Sequence, residues 1–479
     1  MIKRNLDLLC DFYELTMANS YLNDKKDEIA TFDYFFRKVP DNGGFAITCG
    51  LEQFVKYILL LKFSKSDIKY LRKFNKFSEE FLQYLENFKF SGDIYAIKEG
   101  SVVFPNEPIV IVRAPIIECQ LIETVLLLCL NHQSLIATKT NRIVRSANNC
   151  SVLEFGARRA HGYDAANYGA RAAYIAGAIG TSNTFVGKKF NVPIFGTMAH
   201  SFIQSYDSEY EAFKAYASTY PDDTVLLVDT YNTLKSGLPN VIKLYNEVLK
   251  PKGKTVKGIR IDSGDLSYLS RRARKMLDDA GLIDCKITAS NSLDEYLIHD
   301  LLINQGAKID IFGVGERLIT ARSESVFGGV YKLASIQKDG VETPRIKVSE
   351  NVTKTTIPGF KQVYRLYDND SIAIADVITL NHEVIKENEP YYLFDPNFPY
   401  KNKTVVPMKV EQLLHPIFIQ GRQVYKLPNI STIRKHCQKS VGQIWDEVKR
   451  RENPHHYYVD YSLELFDLRE KLIKEKHCE

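Results

Sequence analysis

Residues 151–206 read SVLEFGARRAHGYDAANYGARAAYIAGAIGTSNTFVGKKFNVPIFGTMAHSFIQSY, and this stretch decides the fold. Two short apolar runs, SVLEF and VPIF, each stop at a cluster of glycine and polar residues. The first cluster offers Arg158, Arg159 and His161; the second offers Thr197 and His200. An apolar run ending in Arg, Thr or His reads as a buried parallel strand delivering side chains to a site at its carboxyl end. Two ordinary strands with satisfied polar ends give the same pattern, so the neighbouring segments must decide.

Working outward, the same rhythm continues. Strand candidates TVLLVD, VKGIRID, KITAS and IDIFGVG alternate with helix-like segments such as SEYEAFKAYAS, LSYLSRRARKMLDDAG and SLDEYLIHDLLINQG. Ser208 with Glu211 and Ser292 with Glu295 have capping-box spacing, and Gly281 and Gly306 stand where helices should stop. Strands alternating with helices predict parallel pairing, and six or more such units predict a β/α barrel over residues 141–340. A doubly wound open sheet is the competing architecture; no G-x-G-x-x-G follows the first strand to favour it. Residues 1–140 mix helix and strand signals, with TFDYFFRKVP, the turn DNGG and FAITCG reading as paired strands. Residues 341–479 return to strands and turns, including a KQVYRLY–DNDS–IAIADVITL hairpin and a terminal amphipathic helix. The expected architecture is α/β: an irregular parallel barrel with an additional mixed α+β domain built from both ends of the chain.

Composition sets the class. The chain has 479 residues, 45% hydrophobic and 25% charged, with a formal net charge of +5. Length of this order gives large cores and two or three domains. Basic residues are scattered rather than striped, which argues against nucleic acid as partner. No apolar run approaches the ~18 residues a membrane span needs, and Asp7, Asp11 and Glu14 interrupt any signal-peptide core in MIKRNLDLLCDFYEL. The eight cysteines, from Cys10 to Cys478, are dispersed without C-x-x-C or metal-ligand spacing. A reduced, cytoplasmic protein is expected.

If the middle region is a barrel, its strand ends share one mouth. They supply Phe155 and Arg158, Thr197 and His200, Asp229, Arg260 and Asp262, Ser290 and Asn291, Gly313 and Gly315. Arginine grips carboxylate or phosphate bidentately, and aspartate holds Mg²⁺ or its waters, so this set suits an anionic substrate with a divalent metal. Arg260 and Asp262 alternate on one strand and face the same side; a self-satisfied ion pair fits that spacing equally. His200 reads as a structural histidine or as a nitrogen nucleophile. Glycine pairs in IFGVGERL and VFGGVYKL let backbone N–H groups approach phosphate, although such pairs also make plain turns.

Seven segments in order, DFYELTMANSY, EFGARRA, GTSNTFVGKKF, GTMAHSF, IRIDSGDL, FGVGERLIT and GGVYKL, resemble the nicotinate phosphoribosyltransferase family over nearly the whole chain. The resemblance implies a type II phosphoribosyltransferase-like barrel that joins nicotinate to 5-phosphoribosyl 1-diphosphate, giving nicotinate mononucleotide and diphosphate in NAD salvage. It implies coupled ATP hydrolysis through a phosphohistidine at His200, and Mg²⁺ near Asp229 and Asp262. It further implies Phe155 stacking on the pyridine, Tyr13 supplied by a second subunit of a homodimer with shared active sites, and Thr197 in contact with nicotinate. Arg158 and Arg260 would meet the substrate carboxylate or the phosphoribosyl group, their roles undivided. Gly313, Gly315, Gly328 and Gly329 would take the 5-phosphate. The related nicotinamide enzyme places an acid at the position matching Ser182, and a neutral residue there favours nicotinate. Glu316 departs from the threonine many members carry. The alternatives are a nicotinamide phosphoribosyltransferase and a non-catalytic barrel that binds a phosphorylated metabolite; the quinolinate enzyme, which does without ATP, fits the GTMAHSF loop less well.

Overall fold

A computed structural model describes residues 6–349 and 354–477, so Cys478 and the first five residues of the chain lie outside the described residues. Two compact units emerge, one of residues 1–135 with 326–479 and one of residues 136–325.

The second unit carries the alternating pattern. Ser151–Glu154, Gly180–Thr181, Val225–Leu227, Gly258–Ile261, Lys286–Ser290 and Ile311–Val314 are its strands. They pair in parallel in the spatial order Gly180–Thr181, Ser151–Glu154, Ile311–Val314, Lys286–Ser290, Gly258–Ile261, Val225–Leu227. Helix Leu266–Asp279 packs against two of them, as a crossover helix should. All six carboxyl ends therefore lie along one edge. The expected barrel is corrected here: among the described residues no ladder joins Val225–Leu227 to the opposite edge, and the sheet is open. VPIF does not form a full strand but adds a single parallel bridge, Ile194 to Thr181. Closure requires a consistent register around every strand, and these strands of two to five residues make no such ring.

Local signals hold where chemistry is local. Ser208 accepts from the Glu211 N–H and caps the helix Glu209–Thr219. Gly281 and Gly306 adopt φ of +78° and +64°, which their missing side chains permit. Ser292 does not cap; Asp294 does, accepting from the Tyr296 and Leu297 N–H groups.

The first unit is built on a seven-stranded antiparallel sheet that draws on both ends of the chain. Ile29–Phe35 lies between Val330–Lys338 and Val110–Pro115, and Asp93–Ile97 pairs with Leu414–Ile419. The expected pairing of TFDYFF with FAITCG does not occur. Ala46–Ile47 pairs instead with Val102–Val103, and the DNGG turn is a short 3-10 segment, Pro40–Asn42. The KQVYRLY hairpin forms as read, Lys361–Tyr367 against Ala373–Leu380. Across its two strands, Arg365 holds Asp376 through two hydrogen bonds of 2.8 and 2.6 Å, both side chains buried.

Candidate functional site

The carboxyl ends of the parallel strands surround a cleft of about 490 Å³. Phe155, Arg158, Arg260, Asp262, Gly313 and Gly315, all singled out from sequence, line it. Four arginines, Arg158, Arg159, Arg260 and Arg317, and two carboxylates, Asp262 and Glu316, line it, which gives the cleft an excess of positive charge.

One wall is aromatic. Phe155 follows the strand Ser151–Glu154, and its N–H donates to the Val314 carbonyl at 2.8 Å. The ring lies over Gly313, where a Cβ would stand 2.6 Å from a ring carbon. The absent side chain thus makes the seat for the ring, a packing role beyond the phosphate contact read from sequence. The Arg260 guanidinium carbon sits 5.7 Å from the ring centre, within cation–π range.

Arg260 and Asp262 do form the pair their spacing allowed. Arg260 donates from Nη2 to Asp262 Oδ1 at 3.0 Å and from Nε to Ser290 Oγ at 2.9 Å. Ser290 Oγ also donates to Asp262 Oδ1. The guanidinium is therefore fixed on one edge. Asp262 further lies 3.8 Å from His200 Nε2, and its own N–H donates to Asp229 Oδ2 at 2.9 Å. His200 Nδ1 is 3.1 Å from Thr230 Oγ1. Asp229 also accepts from Ser263 Oγ at 2.6 Å, while its Oδ1 is buried without a hydrogen-bond partner.

Ser182 and Thr197, in the same unit, are not among the residues that line the cleft. Ser182 is exposed, with its N–H donating to the Glu154 carbonyl at 3.0 Å. Thr197 Oγ1 donates to the Met198 carbonyl at 3.5 Å. Tyr13, Gly328 and Gly329 belong to the first unit. There Gly329 packs so closely on Asn131 that a Cβ would stand 2.2 Å from its Oδ1.

Sequence reading placed Asn291 at a strand end and Ser292 at a helix cap, but missed Arg317 and the unusual backbone of this turn. Asn291 and Ser292 take φ of +93° and +50°, two consecutive left-handed residues without glycine. That conformation costs energy and needs support from its surroundings. Support comes from the next turn: Arg317 pairs with Asp294, and buried Glu295 accepts from Lys139 at 2.8 Å and Arg142 at 3.1 Å. Glu316, the departure from the family pattern, lies 3.6 Å from Arg322. Among the described residues, no group of three or more His, Cys, Asp or Glu is arranged to hold a metal. Nor is any helix long and apolar enough to cross a membrane.

Comparison with known proteins bears on this site. Family models match as the nicotinate phosphoribosyltransferase N-terminal domain over residues 8–131, the nicotinate phosphoribosyltransferase family over 150–373 and its C-terminal domain over 360–469. The chain is 44% identical over 475 residues to the nicotinate phosphoribosyltransferase of Bacillus subtilis, covering 98% of this chain and 96% of that protein. It is 37% identical to the Dictyostelium discoideum nicotinate phosphoribosyltransferase, covering 96% and 87%. The crystal structure of human nicotinic acid phosphoribosyltransferase superposes with a TM-score of 0.86 at 28% identity, covering 96% and 99%. Family models, relatives and superposition agree over nearly the full length, and this chain belongs to the nicotinate phosphoribosyltransferase family.

Proposed function

We propose that this chain transfers the phosphoribosyl group of 5-phosphoribosyl 1-diphosphate to nicotinate, releasing diphosphate and nicotinate mononucleotide for NAD salvage. The observation that carries this reading is the cleft itself: an aromatic wall at Phe155 beside four arginines at the ends of parallel strands. A flat anionic ring stacks on Phe155, and Arg158, with Arg260 behind the ring, meets its carboxylate or the phosphoribosyl oxygens. In the reaction the pyridine nitrogen lone pair forms the bond to the anomeric carbon as the bond to diphosphate oxygen breaks. Positive charge grows on the ribose ring, and Asp262, in the cleft lining, is the carboxylate we assign to its stabilisation. Stacking holds the nitrogen in line, a proximity effect. Gly315, just after Val314, would leave room for phosphate near the backbone, whereas the space at Gly313 is taken by the Phe155 ring.

Asp229 and Asp262 fit a Mg²⁺ site, since Asp229 Oδ1 is a buried oxygen without a hydrogen-bond partner and two carboxylates plus substrate phosphate oxygens suffice for that ion. When bound, the ion supplies charge neutralisation to the diphosphate leaving group. His200 beside Asp262 supports ATP coupling: its imidazole takes the terminal phosphoryl group of ATP, releasing ADP, and water later removes it. Thr197 lies three residues before His200 in the same loop and would carry that change towards the pyridine. Ser182, neutral where an acid would repel the substrate carboxylate, favours nicotinate over nicotinamide. Tyr13, 47% exposed, supports a homodimer in which a second copy supplies that ring. Seven free cysteines among the described residues fit a cytoplasmic location.

The test is product formation. Incubation with nicotinate, 5-phosphoribosyl 1-diphosphate and Mg²⁺, with and without ATP, should yield nicotinate mononucleotide, faster with ATP. Product from nicotinamide alone would move the substrate to the related enzyme, and no product from either would sink the proposal.

A further inference from the structure

Glu154 ends the strand before Phe155 and is fully buried. A carboxylate in that position is costly unless its oxygens are satisfied. Here two donors from two different segments satisfy it. Gly156 N–H donates to Oε1. Thr181 Oγ1, at the end of the neighbouring strand, donates to Oε2 at 2.6 Å. Burial pushes the Glu154 carboxyl above its ordinary range, and these two hydrogen bonds oppose that push.

The links continue on both sides. Thr181 Oγ1 accepts from the Asn183 N–H at 3.0 Å, and Asn183 Oδ1 in turn caps the helix Thr184–Phe190. The Ser182 N–H donates to the Glu154 carbonyl. On the other side, a Cβ on Gly156 would stand 2.5 Å from Ile319 Cβ, so that turn has no slack. The Phe155 turn and the Ser182 turn thus hang on one carboxylate.

We propose that Glu154 is a positioning residue that sets the Phe155 wall and the Ser182 turn together, and so fixes the pyridine subsite. The inference rests on the reading of the cleft given under Proposed function. An apolar residue would leave two buried donors unmade, and a single acceptor would free one turn from the other. Only a side chain with two acceptor oxygens ties both.

Thr181→Val tests the tie, because it removes the hydroxyl while keeping shape and backbone pairing. Expected results are a rise of about tenfold in KM for nicotinate, with KM for 5-phosphoribosyl 1-diphosphate within about twofold, as for a misplaced binding wall. The preference for nicotinate over nicotinamide should narrow, and Thr181→Ser should restore both. Hydrogen exchange supplies a readout independent of turnover. In Thr181→Val the amides of residues 155–159, which exclude the substituted position, should exchange faster while the strand Gly258–Ile261 stays protected. If wild type transfers nothing to nicotinate, the functional reading fails and the exchange result still judges the tie. Unchanged exchange at 155–159, or faster exchange throughout residues 136–325, would overturn the positioning role. So would an unchanged nicotinate KM in an active enzyme.

Discussion

His200 Nε2 lies 3.8 Å from Asp262 Oδ2, while Nδ1 of the same ring meets Thr230 Oγ1 at 3.1 Å. Asp262 is the shared element, since its other oxygen accepts from Arg260 and Ser290. One carboxylate therefore joins the proposed ATP-responsive imidazole to the arginine behind Phe155.

His200→Ala should abolish the stimulation by ATP and retain slower, ATP-independent transfer, because the cleft residues stay in place. Rates measured with and without ATP check this. Full ATP stimulation in the variant would remove the phosphohistidine role. Thr230→Val, which deletes only the hydroxyl that orients the ring, should lower stimulation without ending it.

Gly313→Ala separates two readings of that glycine. A Cβ there would press on the Phe155 ring at 2.6 Å, against stiff ring carbons rather than a flexible chain end. The ring must shift, and KM for nicotinate should rise by about tenfold, since a small misplacement of a binding wall is costly. Saturation curves in each substrate decide the matter. A rise confined to 5-phosphoribosyl 1-diphosphate would return Gly313 to a phosphate role alone.

Much of the cleft was legible because its residues follow directly on apolar runs. Phe155, Arg158, Arg260 and Asp262 could be read off the strand ends without knowing which strand neighbours which. Glu154 could not: its partner Thr181 lies 27 residues away and meets it only through the parallel register. Arg317 and the left-handed backbone at Asn291 and Ser292 escaped for a similar reason, since their support comes from Asp294, Glu295 and the helix carrying Lys139. Barrel closure failed as an expectation because periodicity reports strands, whereas closure depends on edge pairing. The DNGG signal marked a turn correctly and its strands wrongly. Ile29–Phe35 is buried at six of its seven positions, as a central strand must be, and its neighbours come from residues 110–115 and 330–338.

Arg365→Met should destabilise the first unit by about 3–5 kcal/mol, because it strands Asp376 as a buried unpaired charge. Tyr457 donates to Asp376 at 3.1 Å, and burial together with Asp376 pushes the neighbouring Glu107 carboxyl well up. Neither partner replaces the lost cation. Urea unfolding followed at Trp445 reports locally, since this single tryptophan lies 5.6 Å from the Tyr457 ring. Adding Asp376→Leu should recover most of the loss, because an apolar pair removes the stranded charge.

Glu14, the neighbour of Tyr13, supplies a pH test in the first unit. Its side chain is buried, and Thr124 Oγ1 donates to it at 2.6 Å. Burial, with Glu123 and Asp11 adding repulsion, raises its carboxyl from 4.5 to about 7, against the hydrogen bond from Thr124. The folded chain therefore holds this proton more tightly than the unfolded chain does. Its contribution to stability is fully present below pH 4.5 and is lost as pH rises through 7. Between pH 5 and 7 the wild type should lose up to about 2 kcal/mol relative to Glu14→Gln, which cannot ionise. Paired unfolding curves at the two pH values measure the difference, which cancels every other titrating group common to both chains. Parallel pH profiles for the two proteins would show that Glu14 is ionised in the fold.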